Sequence, residues 1–256
     1  MLEENVSLTN KGMRLVGRVT VPSGNPRACL VLFHGFGGWK DETKDLFVNA
    51  SVKAAEMGFA CVRFDFRFSK TDTNKSESEG TLLQMLPSEW ISDARAIVAY
   101  CRKRFAGLKL GAVGLSMGGL VVCHVAAEGL VDAFVAWSAP VDFASDFDEK
   151  RDRNTLGKSV GENIDSFMRD IMKCNPISVI PRISVPVLAV AGEKDEAVPP
   201  TQARLLFDST GGKKSFYMIG GADHVFSNHQ AEVIGVSLAW LDEVLVKSWS
   251  PSTEGR

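Results

Sequence analysis

The chain has 256 residues, room for one large α/β domain. With 45% hydrophobic and 23% charged residues and a formal net charge of −2, it has an ordinary globular composition, which excludes a strongly basic nucleic-acid surface. No stretch approaches the roughly eighteen apolar residues that a membrane span needs.

Taken in chain order, the N-terminus carries Glu3 and Glu4 where a signal peptide would be basic, and no apolar h-region follows. A cytoplasmic protein is therefore expected. Residues 14–21 alternate apolar and polar and end in Pro22-Ser23-Gly24-Asn25-Pro26, so they read as a strand closed by a turn. Residues 28–33 form a continuous apolar run of the kind buried on both faces of a parallel sheet. Equivalent runs recur at 59–64, 108–113, 133–137, 187–191 and 215–219, with helical patterns at 43–57, 88–105, 117–127, 200–207 and 230–246. This alternation predicts an α/β fold, a mostly parallel central sheet with helices on both faces. Ligands of such sheets bind at the carboxyl ends of the strands.

The connection from Trp137 to Val187 is longer than the others and carries an amphipathic stretch at 164–173. Long connections in compact domains are usually functional. Residues 141–185 are expected to form a small cap inserted before the penultimate strand. Within it, Phe143, Phe147, Phe167, Met168, Ile171 and Met172, with Ile164, could line an acyl or aromatic pocket. At helical spacing, Phe167/Ile171 and Met168/Met172 read more simply as packing between cap and core. The alternating charges of 146–153 read as a solvated segment, and the polar tail 248–256 is expected to fray. Cys29, Cys61, Cys101, Cys123 and Cys174 show no metal-ligand spacing and read as reduced core thiols.

The chemistry-bearing motif follows the strand at 108–113: Gly114-Leu115-Ser116-Met117-Gly118, leading directly into a helix. A sharp strand-to-helix turn lifts the Ser116 hydroxyl clear of the sheet and places the Met117 N–H at a helix N-terminus, aimed at developing negative charge. A serine nucleophile needs a base, and the base needs a carboxylate to orient it. Of the four histidines, His224 sits just after the strand at 215–219, in Gly220-Gly221-Ala222-Asp223-His224. His229 reads as a surface or capping residue, His124 as a satisfied core histidine, and His34 as a brace for its own loop. The acid is sought in Gly192-Glu193-Lys194-Asp195-Glu196, where Asp195 is preferred and Glu193 and Glu196 compete; Asp142 is a further alternative. The loop His34-Gly35-Phe36-Gly37-Gly38 offers the Phe36 N–H as a second oxyanion donor.

Those motifs, with Arg63-Phe64-Asp65-Phe66 and Val198-Pro199, resemble in order and spacing the α/β-hydrolase superfamily over nearly the whole chain. They are similar to small bacterial and archaeal carboxylesterases, including the feruloyl (cinnamoyl) esterases. Dienelactone-hydrolase-like and acylpeptidase-like members share parts of the pattern, and a cysteine nucleophile would favour the dienelactone branch. The resemblance implies a serine esterase acting on short-chain or hydroxycinnamoyl esters through an acyl-enzyme on Ser116. His224 and Asp195 would complete the triad, and Phe36 and Met117 the oxyanion hole. It implies a small-molecule ester as partner and no metal or organic cofactor. An acyl-peptide or lactone hydrolase of the same fold, or a non-catalytic binding protein built on it, is the alternative. One departure stands out: where such enzymes have a glycine-rich turn, this chain reads Arg67-Phe68-Ser69-Lys70-Thr71-Asp72, a polar loop to Gly80 that is expected to be mobile.

Overall fold

The structure, a computed structural model, describes residues 1–143 and 149–247, the side chains of 149–152 excepted. Eight strands form one sheet: β1 (Leu2–Asn10), β2 (Met13–Val21), β3 (Ala28–Phe33), β4 (Phe59–Phe64), β5 (Leu110–Leu115), β6 (Ala133–Trp137), β7 (Val187–Gly192) and β8 (Lys214–Ile219). Their order is β1-β2-β4-β3-β5-β6-β7-β8, with β2 antiparallel to both β1 and β4 and every other pairing parallel. Strands β3 to β7 are buried at every residue, as their unbroken apolar runs require.

Helices cover both faces. On one side lie α1 (Leu46–Glu56) and, from the end of the chain, a helix at Gln230–Leu245, which pack Phe47, Ala50, Ile234 and Leu238 against the sheet. On the other lie α2 (Pro87–Arg104) and α3 (Met117–Ala127), with Trp90, Ile97, Leu120 and Val121 in the larger core. Between β6 and β7 come α4 (Glu149–Val160) and α5 (Ile164–Lys173); α6 (Pro200–Ser209) joins β7 to β8, and Gln230–Leu245 is α7. Among the described residues no helix is long and apolar enough to cross a membrane.

Three sequence expectations are corrected. First, β1 was not foreseen: it is an edge strand in which Val6 and Leu8 are the partly buried apolar contacts, so it has little amphipathic signature. It reverses into β2 through Lys11 and Gly12, both at positive φ (48° and 78°), the backbone of a tight hairpin. Second, β5 runs two residues beyond the expected end at Val113, because Gly114 and Leu115 pair with Ala136 and Trp137. The turn before α3 is then Ser116 alone.

Third, the polar loop is hydrogen-bonded to the protein around it and not left to solvent. Asn74 Nδ2 donates to the carbonyls of Ser69 (2.7 Å), Gly37 and Gly38 (both 3.1 Å). Asp65, fully buried, accepts from the N–H groups of Glu77 (2.7 Å) and Lys40 (2.6 Å). Ser78 bridges β2 and the residue after β4, donating to Asp65 O and accepting from Val16 N. The side chains that looked destined for water satisfy backbone groups instead. The tail 248–256, Phe147 and most of the charged segment 146–153 lie outside the described residues or side chains.

Candidate active site

Because β5, β6, β7 and β8 are parallel neighbours, the residues that follow them emerge at one edge of the sheet. Ser116 is held between β5 and α3 at φ 52° and ψ −119°, a conformation that costs a non-glycine residue about 1–3 kcal/mol and persists only where the surroundings enforce it. The enforcement is visible on both sides. Ser116 N–H donates to Trp137 O at 2.8 Å, and its carbonyl accepts from Gly119 N at 2.8 Å. The flanking glycines are steric necessities: a Cβ at Gly114 would lie 2.3 Å from Gly118 O, and one at Gly118 would lie 2.0 Å from Phe33 O.

His224 Nδ1 lies 2.8 Å and 3.0 Å from the two carboxylate oxygens of Asp195. Asp195 is 7% exposed, and its Oδ1 also accepts from the N–H groups of Ala197 (3.0 Å) and Val198 (2.8 Å), which fix the carboxylate in the turn leading to α6. The competing acids stand elsewhere. Glu193 is exposed and accepts from Gly221 N at 2.8 Å, Glu196 is exposed, and Asp142 Oδ1 accepts from Asn175 Nδ2 at 3.0 Å. The loops of β7 and β8 are in close contact, since a Cβ at Gly192 would fall 2.6 Å from Ala222 O. Among the described residues no hydrogen bond joins Ser116 Oγ to His224; such contacts often close only with substrate in place.

The remaining histidines take structural positions. His124 Nε2 is 2.9 Å from Cys174 O, and His229 is the N-cap residue of α7. His34, fully buried, accepts from Phe66 N at Nε2 (3.1 Å), so Nδ1 carries the proton and donates to Gly35 O (2.9 Å). Burial pushes its pKa down to about 4; the Gly35 bond opposes this weakly and Lys40 adds to it. The sign follows directly: a histidine with a depressed folded pKa stabilises the fold above its unfolded value near 6.5, and that contribution is lost as pH falls towards 4. By pH 5 the loss is about 2 kcal/mol. Urea titrations at pH 7 and pH 5 are expected to show a pH dependence in the wild type that is smaller by about this amount in His34→Gln. Equal pH dependence in the two proteins would refute it.

His34 shapes the loop that carries the Phe36 N–H. Neither that N–H nor the Met117 N–H donates to a protein acceptor among the described residues. Phe36 also touches the segment between β6 and β7: its ring centroid is 5.6 Å from that of Phe167 on α5. Phe167, Met168 and Ile171 are buried in the core and Met172 is exposed, so the apolar face of α5 is largely packing. Ser88 N donates to Asp170 Oδ2 and Asn163 Nδ2 to Met85 O, which tie this segment to the start of α2.

Two contributors were not identified from the sequence. Asn74 fastens the Gly37 and Gly38 carbonyls, and Glu42, 3% exposed, accepts the Gly35 N–H at 2.6 Å. Glu42 follows Gly35 by seven residues with no periodicity to mark it. No group of histidine, cysteine, aspartate and glutamate suited to a metal ion occurs among the described residues.

The sequence model of the dienelactone hydrolase family matches residues 15–244. The serine at 116 therefore does not set the chain apart from that family. Solved structures share the fold at low identity. Est1E from Butyrivibrio proteoclasticus, solved with ferulic acid bound, is 20% identical with a TM-score of 0.77, over 93% of this chain and 98% of its own. The esterase domain of a Rhodothermus marinus protein is 22% identical with a TM-score of 0.72, over 96% and 100%. A dienelactone hydrolase from Anabaena variabilis is 17% identical with a TM-score of 0.69, over 95% and 98%. Among curated proteins, none matches the sequence significantly.

Proposed function

The chain belongs to the dienelactone hydrolase family, and from that premise we propose that it is a serine esterase hydrolysing small carboxylic esters through an acyl-enzyme on Ser116. The observation that carries this reading is the Asp195–His224 pair at 2.8 Å, at the strand ends that also hold the strained Ser116. Asp195 accepts a hydrogen bond from Nδ1–H, which keeps the proton on Nδ1 and leaves Nε2 as the base. Ser116 Oγ attacks the ester carbonyl as its proton passes to His224 Nε2. The oxyanion is received by the N–H groups of Phe36 and Met117, the latter at the N-terminus of α3. His224 returns the proton to the departing alcohol, and water repeats the sequence on the acyl-enzyme.

Residues 149–185 of the segment expected as a cap are taken to border the site, and the partly exposed Phe36, whose ring meets the buried Phe167, supports an aromatic or short acyl group at its mouth. The ferulic acid bound by Est1E supports hydroxycinnamoyl esters, and the family supports testing a cyclic ester as well. The five thiols are buried and unpaired, which supports a reducing, cytoplasmic setting.

The test is a panel of p-nitrophenyl esters of rising acyl length, run beside methyl ferulate and a simple lactone. Turnover is expected with the shortest acyl chains or with the ferulate and is expected to fall on lengthening the alkyl chain. Absence of hydrolysis across the whole panel would remove the esterase reading.

A further inference from the structure

Glu42 is a buried carboxylate that the reaction described above does not use. It lies just beyond the oxyanion loop at φ 60° and ψ 172°, a region almost reserved for glycine, and Lys44 and Asp45 after it also have positive φ. A segment bent in this way is held by what its side chains do. One Glu42 oxygen accepts from Gly35 N at 2.6 Å and the other from Thr43 N at 3.2 Å. The position a Gly35 Cβ would occupy is 3.3 Å from Ser116 Cβ and 3.6 Å from Glu42 Oε1, so Ser116 and this carboxylate both border Gly35. A Cβ at Gly38 would be 2.5 Å from Glu42 Oε1, so the oxyanion loop is cut away to receive it.

No cation pairs with Glu42 among the described residues. Lys40 is held by Asp65 and Glu77, Arg63 by Asp41 and Glu3, and Lys44 acts on Asp223. Burial raises the Glu42 pKa above the ordinary carboxylate range; the bonds from Gly35 and Thr43 and the nearby His224 oppose this.

Resting on the esterase reading, we propose that Glu42 is a positioning residue of the acyl-transfer site: as an anion it holds the Gly35 N–H, fixing the peptide that presents the Phe36 N–H to the oxyanion. An interaction of this kind acts in the transition state more than on bound substrate, so its loss lowers kcat and leaves KM nearly unchanged.

Glu42→Gln keeps the shape and removes the charge. It is expected to lower kcat by about 10- to 100-fold at pH 8, below the effect of deleting an oxyanion donor outright, with KM within about threefold. The wild-type to variant ratio is expected to shrink as pH falls through the titration of Glu42, which burial moves above the ordinary carboxylate range, because the wild type then loses the same charge. A purely structural role would leave that ratio flat. Gly38→Ala, which pushes on the carboxylate without neutralising it, is expected to lower kcat in the same direction. Thermal midpoints and fluorophosphonate labelling of wild-type Ser116 are measured alongside. A folded Glu42→Gln protein whose kcat stays within twofold of wild type from pH 5 to pH 8 overturns the role of Glu42 alone. Wild-type protein that neither labels nor turns over ester overturns the esterase reading, and this role with it.

Discussion

Replacing Ser116 with alanine is expected to lower ester turnover by about 10⁴- to 10⁶-fold, leaving the slow residual rate that the proposed oxyanion hole and binding alone would sustain. The effect is large because the hydroxyl is the one atom in the account that forms a bond to substrate. Stability is expected to stay where it is. The φ of 52° at residue 116 is no easier for alanine, but the hydrogen bonds that enforce it, donated to Trp137 O and accepted from Gly119 N, are backbone contacts that alanine retains. The variant is therefore expected to keep the wild-type thermal midpoint and a KM of the same order. A Ser116→Ala protein that turns over ester at the wild-type rate would show that the reaction runs elsewhere.

The second large effect is at the acid. In Asp195→Asn the amide can donate where the carboxylate accepted, which favours the wrong tautomer of His224, and kcat falls by about 10³- to 10⁴-fold. The same change leaves the turn partly intact, because an amide oxygen can still accept from Ala197 N and Val198 N. The competing carboxylates give a contrast: Glu193→Gln, Glu196→Gln and Asp142→Asn are expected to stay near the wild-type rate, since their partners are Gly221 N, solvent and Asn175. Steady-state kinetics on the four variants separates them. A large loss in Asp142→Asn with a mild one in Asp195→Asn would move the acid to the end of β6.

What could be read from the sequence follows from how far each signal reaches along the chain. The Ser116 turn is local: six apolar strand residues, one serine and a helix beginning at Met117, with glycines whose spacing is dictated by contacts across the turn itself. The apolar runs of β3 to β7 were equally plain, because burial on both faces leaves no polar alternation to misread. Choosing Asp195 among three nearby carboxylates was harder, since exposure separates it from Glu193 and Glu196 only once β8 brings its loop alongside.

Other features lay beyond local pattern. The strand β1 is mostly exposed, so its pairing with β2 carries little apolar periodicity. Residues 67–80 are polar, and polar composition does not say whether the partner will be water or a backbone group. Here Asn74 finds Gly37 and Gly38, more than thirty positions away, and Asp65 finds the N–H groups of Lys40 and Glu77. Glu42 is the sharpest case. Nothing distinguishes it from Asp41 before it except that the loop bends back and sets its carboxylate on Gly35 N.

Reaction with a fluorophosphonate followed by mass spectrometry tests the central claim most directly, because only an activated serine is phosphonylated and no substrate need be known. The account predicts a single adduct on Ser116, lost in Ser116→Ala and strongly slowed in His224→Ala and Asp195→Asn. An unlabelled wild-type protein, or the same adduct persisting in Ser116→Ala, would contradict it.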